Sequence, residues 1–296
     1  MHSLTAVLPP LLVLDPLLKG WLLEDIGRGD RTTQSLFPSG GKSGQAQWIA
    51  KEAGIVAGLT IGARVFQLLH PEAKSEVKFT ATVQEGEWCD RGQQIAMISG
   101  PWDVLLMGER TALNLAMRLS GIATLTRKYA DQISDLPTQL VDTRKTTPGL
   151  RLLEKYALQV GGAVNHRLGL DDAVMIKDNH IAAAGGIGNA IAQIRARIPY
   201  PMTIEVETES QVQVQEALRH GADIIMLDNM PLTQMAQAVQ AIRQHNDRIK
   251  IEASGNITLE TIRAVAETGV DYISSSAPVT RSTWLDLSMR VQASNT

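Results

Sequence analysis

The sequence predicts an α/β protein: a run of βα units in its C-terminal half, preceded by a strand-rich region with a different rhythm. Two observations carry this. From about Gln45 to Gly100 apolar and polar residues mostly alternate, the period of a half-buried strand. From Pro137 onward, short apolar runs each precede an amphipathic segment, and the runs recur about every 20 to 35 residues, the length of a βα unit. Such a series closes into a barrel or opens into a doubly wound sheet, and both place functional groups at the carboxyl ends of the strands.

The elements follow in order. Ala6 to Leu18 is the most apolar stretch, but Pro9, Pro10, Asp15 and Pro16 interrupt it; it is too short and broken to span a membrane and reads as a segment docking on the core. It also lacks the basic region of a signal peptide. Gln45–Ala50 and Glu76–Val83 read as strands, with a helix near Leu59–Leu69 between them. A long helical pattern runs from about Trp102 to Ile133, with a break expected at Ser120–Gly121. The later strand runs are Gln139–Asp142, Ala173–Ile176, Met202–Glu207, Ile224–Asp228, Ile249–Ala253 and Tyr272–Ser274. Helices are expected at Ser210–Arg219, Leu232–Gln244 and Leu259–Glu267, with Gly221 and Gly269 where a helix stops.

Composition narrows the class. The chain has 296 residues, 44% hydrophobic and 20% charged, which supplies ample core and argues against disorder. Its 28 Lys and Arg against 31 Asp and Glu leave a net charge of −3, without the basic surplus of a nucleic-acid scaffold. One cysteine, Cys89, excludes an intramolecular disulfide or an all-cysteine zinc site and suits a reducing, cytoplasmic setting.

The strand ends are polar. Thr143, Arg144 and Lys145 follow the first run, Lys177 and His180 the second, and His166 and Arg167 lie between them. The third ends in Glu205–Val206–Glu207, the fourth in Asp228–Asn229, and the fifth in Ser254–Gly255–Asn256. Gathered at one mouth, these groups form a cationic side and an anionic side. The cations suit a ligand with several negative charges, since guanidinium forks match carboxylates and phosphates. Glu207 and Asp228 suit ribose hydroxyls, a divalent metal, or both. Ser254–Gly255–Asn256, ahead of a helix expected from about Thr258, suits a phosphate. Glu205 and Glu207 point to the same strand face, and two carboxylates on an interior face need partners.

Seven ordered stretches resemble the quinolinate phosphoribosyltransferase family: Glu24–Thr33, Glu109–Asn114, Leu119–Thr124, Asp142–Gly149, Asn165–Leu170, Ile176–His180 and Leu227–Asn229. The resemblance implies an N-terminal α/β sandwich, residues 1–117, followed by an open, TIM-like α/β barrel, residues 118–277, with the tail 278–296 returning to the first domain. It implies transfer of phosphoribose from phosphoribosyl pyrophosphate to quinolinate, with decarboxylation, to give nicotinate mononucleotide for NAD synthesis. It implies Mg²⁺, held at Glu207 and Asp228, and a homodimer or larger assembly in which Arg110 completes the neighbouring site. It implies Arg144, His166 and Arg167 at the quinolinate carboxylates, Thr143 among the substrate-binding residues, Lys145, Lys177 and His180 at the pyrophosphate, and Glu207 and Asp228 at the ribose. Ser254, Gly255, Asn256, Ser275 and Ser276 are then expected at the 5′-phosphate. The chain departs from the family at Ser276 and Asn256, where glycine is usual.

Simpler readings compete elsewhere. His2, His70, His220 and His245 read as structural or solvated. Arg151 and Lys155, spaced i, i+4, read as an exposed helix face. Ser39–Ser43 lacks the first glycine of a phosphate-binding P-loop, because position 36 is leucine. Arg28–Gly29–Asp30 has no adhesive context. The Glu85–Gln93 stretch resembles the hairpin of a carrier domain, but Lys78 lies within a strand pattern and not at a tip. A nicotinate-specific or molybdenum-linked phosphoribosyltransferase would share the barrel.

Overall fold

The computed structural model describes residues 6–40, 42–69 and 77–292. The chain divides into two compact units, residues 1–125 with 152–161 and 282–296, and residues 126–151 with 162–281. The boundary expected at residue 117 cuts a long helix, and the first unit runs past it to residue 125 and also takes in residues 152–161.

In the first unit, β1 (Ser43–Ala50) is flanked by β5 (Gln94–Pro101) and by β12 (Leu287–Gln292), and β3 (Lys78–Ala81) extends the sheet beyond β5, all antiparallel. Glu76 lies outside the described residues. Strand β1 buries Ala46, Trp48 and Ala50 in alternation, as a two-residue period demands. Trp48 meets Phe66 and Phe79 edge-on, at centroid distances of 6.3 and 5.3 Å. Two short strands, β2 (Gly54–Ile55) and β4 (Trp88–Cys89), form a separate pair. Helix α1 (Leu11–Ile26) buries Leu14, Leu18 and Leu22, and its Asp15 bonds Arg64 of α3 (Leu59–Leu68) at 2.6 Å. Asp30 caps α2 (Arg31–Leu36) by accepting the amides of Thr32 and Thr33, which absorbs Arg28–Gly29–Asp30 into structure. The Glu85 carboxylate accepts the amides of Gly58 and Thr60 at the start of α3, so this hairpin serves as a helix cap.

Helix α4 (Trp102–Asp131) runs through Ser120 and Gly121 without the expected break. Both residues serve packing: Ser120 Oγ accepts the Ala57 amide and donates to the Ala57 carbonyl, and a Cβ on Gly121 would meet the Thr283 carbonyl oxygen at 1.9 Å. Within α5 (Arg151–Gly161), Lys155 and Glu154 are fully buried. Glu154 takes the Arg118 guanidinium at 2.8 Å, and Arg118 also donates to Ser282. Of the exposed face expected for Arg151 and Lys155, Lys155 is buried and Arg151 is half-buried.

The second unit is built on six parallel strands: β6 (Gln139–Val141), β7 (Val174–Ile176), β8 (Ile204–Thr208), β9 (Ile224–Asp228), β10 (Lys250–Ser254) and β11 (Tyr272–Ser274). Their order is β6-β11-β10-β9-β8-β7, so the first strand in sequence lies beside the last. That is how a βα series curls into a barrel. A parallel bridge from Val141 to Val164 continues the sheet past β6. Helices α6 (Asp178–Ala184), α7 (Ile187–Arg195), α8 (Gln211–Arg219), α9 (Leu232–His245), α10 (Ile262–Ala266) and α11 (Ala277–Thr280) follow the strands. Helix α10 begins at Ile262, not near Thr258, and is preceded by a turn in which the Thr258 amide donates to Thr261 Oγ1. Among the described residues, no helix is long and apolar enough to cross a membrane.

Candidate active site

A cavity of about 300 Å³ opens where the barrel strands end. The cations on its wall are Arg144, Lys145, Arg167 and Lys177. Thr143, His166, Ser254 and Ser274 also face it, and Asp142, Glu252, Met175 and Met226 complete it. The loop after β6 brings Thr143, Arg144 and Lys145, and Thr143 Oγ1 accepts the Lys145 amide at 3.0 Å. Among the described residues, Arg144 Nε is buried and donates to no protein atom. A buried N–H without a partner is costly, so this donor is set for a bound acceptor.

Arg167 donates to the Ala173 carbonyl at 2.9 Å. Burial, then the like charge of Arg144, pushes its pKa down, and the charge of Glu205 works the other way. Two guanidinium groups crowding one another call for an anion between them. Lys177 pairs with Glu207, and the Lys177 amide donates to His180 Nδ1 at 3.0 Å. His180 is exposed and is not among the cavity's lining residues.

Below these cations lies an acidic floor. Glu205 and Glu252 are 2% and 3% exposed, and each has one carboxylate oxygen with no hydrogen-bond partner among the described residues. His166 Nε2 stands 3.0 Å from Glu205 and 3.5 Å from Glu252. Burial opposes a charge on His166, but hydrogen bonds to Glu205 and Glu252, with their charge, outweigh it and raise its pKa to about 10. The Arg167 amide donates to His166 Nδ1 at 2.7 Å, which requires a lone pair there. The retained proton therefore belongs to the His166–carboxylate cluster and not to Nδ1, in keeping with the upward push that burial gives the Glu205 carboxyl. The resemblance implies a substrate carboxylate at this imidazole; in the structure His166 lines the cavity, with both ring nitrogens engaged by protein groups. Among the described residues, His166, Glu205 and Glu252 are also the one set of three or more His, Cys, Asp or Glu side chains with donor atoms within 4.8 Å of one another.

Glu207 is the penultimate residue of β8, and Asp228 is the last residue of the neighbouring β9. Asp228 Oδ2 accepts from Asn229 Nδ2 at 2.7 Å, and Asn256 Nδ2 donates to Asn229 Oδ1 at 3.1 Å. Asn256 holds φ 51, the left-handed conformation that a glycine would supply. Gly255 has φ 97, and a Cβ there would meet Asn229 Oδ1 at 2.2 Å. Ser276 holds φ −87, so the missing glycine leaves no strain. Ser275 is buried, and its hydroxyl accepts the Ala277 amide at 3.2 Å.

The remaining sites fall elsewhere. Arg110 is exposed on α4 of the first unit and is not a lining residue of the cavity. His220 and His245 are exposed, whereas His2, His70 and Gly41 lie outside the described residues. Sequence reasoning missed Glu252, which sits between Ile251 and Ala253 in a strand. A lone carboxylate in an apolar strand was the available signal. It also missed Arg151, whose Nε donates to Thr146 Oγ1 and whose Nη1 donates to the Leu168 carbonyl, both at 3.1 Å. These bonds tie together the two loops that carry Arg144 and Arg167.

The fold and the cavity define an α/β-barrel enzyme built for a small polyanion. Comparison with known proteins gives the family. The C-terminal domain of quinolinate phosphoribosyl transferase matches residues 122–290, and its N-terminal domain matches residues 30–120. The chain belongs to the quinolinate phosphoribosyltransferase family. It is 57% identical over 284 residues to a probable nicotinate-nucleotide pyrophosphorylase [carboxylating] of Synechocystis sp., covering 96% of this chain and 94% of the relative. The probable enzyme of that name from Bacillus subtilis is 45% identical, with 96% and 95% covered. The crystal structure of NadC from Streptococcus pyogenes superposes with a TM-score of 0.88 at 42% identity, covering 96% of this chain and 98% of that one.

Proposed function

We propose that the cavity is the quinolinate pocket of a phosphoribosyltransferase that makes nicotinate mononucleotide, pyrophosphate and CO₂ from quinolinate and phosphoribosyl pyrophosphate. The observation that carries this reading is the partnerless Nε–H of Arg144, buried in a wall shared with Arg167, Lys145 and Lys177. A two-carboxylate ring satisfies that donor and relieves the repulsion between the two guanidinium groups. Thr143 borders the same pocket.

The ring nitrogen attacks the ribose C1, and the C1–O bond to pyrophosphate breaks with its electron pair on the leaving group. The barrel contributes position and charge, with no covalent enzyme intermediate. Lys145, Lys177 and His180 face the pyrophosphate. The ring nitrogen, now cationic, stabilises the pair left at C2 when CO₂ departs, and a proton from solvent completes the product. Glu207 and Asp228 hold the ribose hydroxyls. Their oxygen donors, at the ends of adjacent strands, also fit Mg²⁺. A bound Mg²⁺ would neutralise pyrophosphate charge. Ser254, Gly255 and Asn256, with Ser275 and Ser276, take the 5′-phosphate.

The active form is a homodimer or a larger homo-oligomer in which Arg110 reaches the neighbouring pocket. Mixing inactive Arg110→Ala and Arg144→Ala subunits tests this: shared sites restore activity in the mixture, whereas self-contained sites leave it inactive. Calorimetric titration tests the pocket itself. Quinolinate binds the wild type and not Arg144→Ala, and equal binding to both would refute the assignment.

A further inference from the structure

The imidazole of His166 faces the pocket, yet its nitrogens serve the protein. Nε2 lies 3.0 Å from Glu205, and Nδ1 accepts the Arg167 amide at 2.7 Å. The His166 amide in turn donates to Asp142 Oδ1 at 2.8 Å, and Asp142 is fully buried. Two consecutive backbone amides, those of His166 and Arg167, are thus pinned by the side chains of Asp142 and His166. The Arg167 guanidinium starts from that pinned backbone and is fixed at its far end by the Ala173 carbonyl.

We propose that His166 is a positioning residue, which passes the anchorage of Glu205 through its ring to the Arg167 backbone and so fixes the Arg167 fork. Glu205 and Glu252 act with it, as the carboxylates that select the Nε2–H tautomer and leave a lone pair at Nδ1. This role rests on the reading that Arg167 takes a quinolinate carboxylate. It assigns the substrate contact to Arg167 and an internal contact to His166. The tautomer follows from geometry: an amide N–H aimed at Nδ1 excludes a proton there.

Asparagine and glutamine separate the two roles. Asparagine at position 166 can place an amide oxygen near Nδ1 and accept the Arg167 amide. Glutamine places a donor nearer Nε2. His166→Ala raises the KM for quinolinate about tenfold or more, with the KM for phosphoribosyl pyrophosphate within about twofold. His166→Asn returns the quinolinate KM to within about threefold of wild type, and His166→Gln does not. Recovery by glutamine and not asparagine would overturn the proposal in favour of direct donation to substrate. If the variants do not fold, ¹⁵N NMR of histidine-labelled wild-type enzyme near neutral pH decides. The account requires a protonated Nε2 and a bare Nδ1 at His166; a proton on Nδ1 contradicts it. This measurement needs no turnover. An enzyme that ignored quinolinate would overturn the functional reading and leave the tautomer result standing.

Discussion

Arg118 and Arg144 are both largely withdrawn from solvent, and the protein treats them differently. Arg118, in the first unit, donates through Nε and Nη2 to the buried Glu154 and through Nη1 to Ser282. Arg144, at the barrel mouth, keeps a buried Nε–H with no protein acceptor among the described residues. The first arrangement is complete within the protein; the second leaves a donor open. A charge balanced inside the protein contributes to stability, and one left partnerless at a strand end contributes to binding.

Four substitutions and one pH series can break or sharpen this contrast. Arg144→Ala has the largest effect: kcat/KM for quinolinate falls by about a thousandfold or more, as expected for loss of a buried, charge-assisted contact. Its unfolding midpoint in urea stays near that of wild type. Arg118→Ala reverses the pattern. It removes the guanidinium that pairs with the buried Glu154 carboxylate, so stability drops by about 3–5 kcal/mol in urea unfolding while the quinolinate KM holds. A catalytic loss without a stability loss in that variant would erase the contrast. Glu207→Gln raises the KM for phosphoribosyl pyrophosphate about tenfold and shifts the Mg²⁺ activation midpoint upward, and quinolinate affinity changes by less than about twofold.

The pH series reads the floor of the pocket. The folded His166 cluster holds a proton up to about pH 10, against about 6.5 for a free imidazole, so the folded state binds more protons in that window. Its contribution is therefore full below about pH 6.5 and fades as pH rises towards 10. Urea unfolding across this range shows declining stability in wild type and a flatter profile in His166→Asn. The smallest effect is at a cap: Asp30→Ala removes the acceptor of two amides and costs about 1 kcal/mol without touching kinetics.

The six barrel strands were legible because each apolar run ends in polar residues at a sharp boundary. Arg144, Lys145 and Lys177 could be placed at one mouth from that rule alone. What stayed hidden depended on facing. The spacing of Arg151 and Lys155 shows that they share a helix face, but not that Lys155 is buried. Ser120–Gly121 has the composition of a break, yet its cause is the close approach of the Thr283 carbonyl, a residue distant in sequence. His166 stood out as a strand-end histidine, but its tautomer depends on Glu205 and on the next residue's amide. Three-dimensional hydrogen bonding, not sequence pattern, separates a ligand from a positioning group.

Steady-state turnover with quinolinate and with nicotinate as alternative acceptors, monitoring nicotinate mononucleotide and CO₂ together, tests the central claim most directly. The account predicts that quinolinate is consumed with CO₂ released in equal amount to the nucleotide, and that nicotinate is a poor acceptor. Efficient turnover of nicotinate without CO₂, and none of quinolinate, would contradict it.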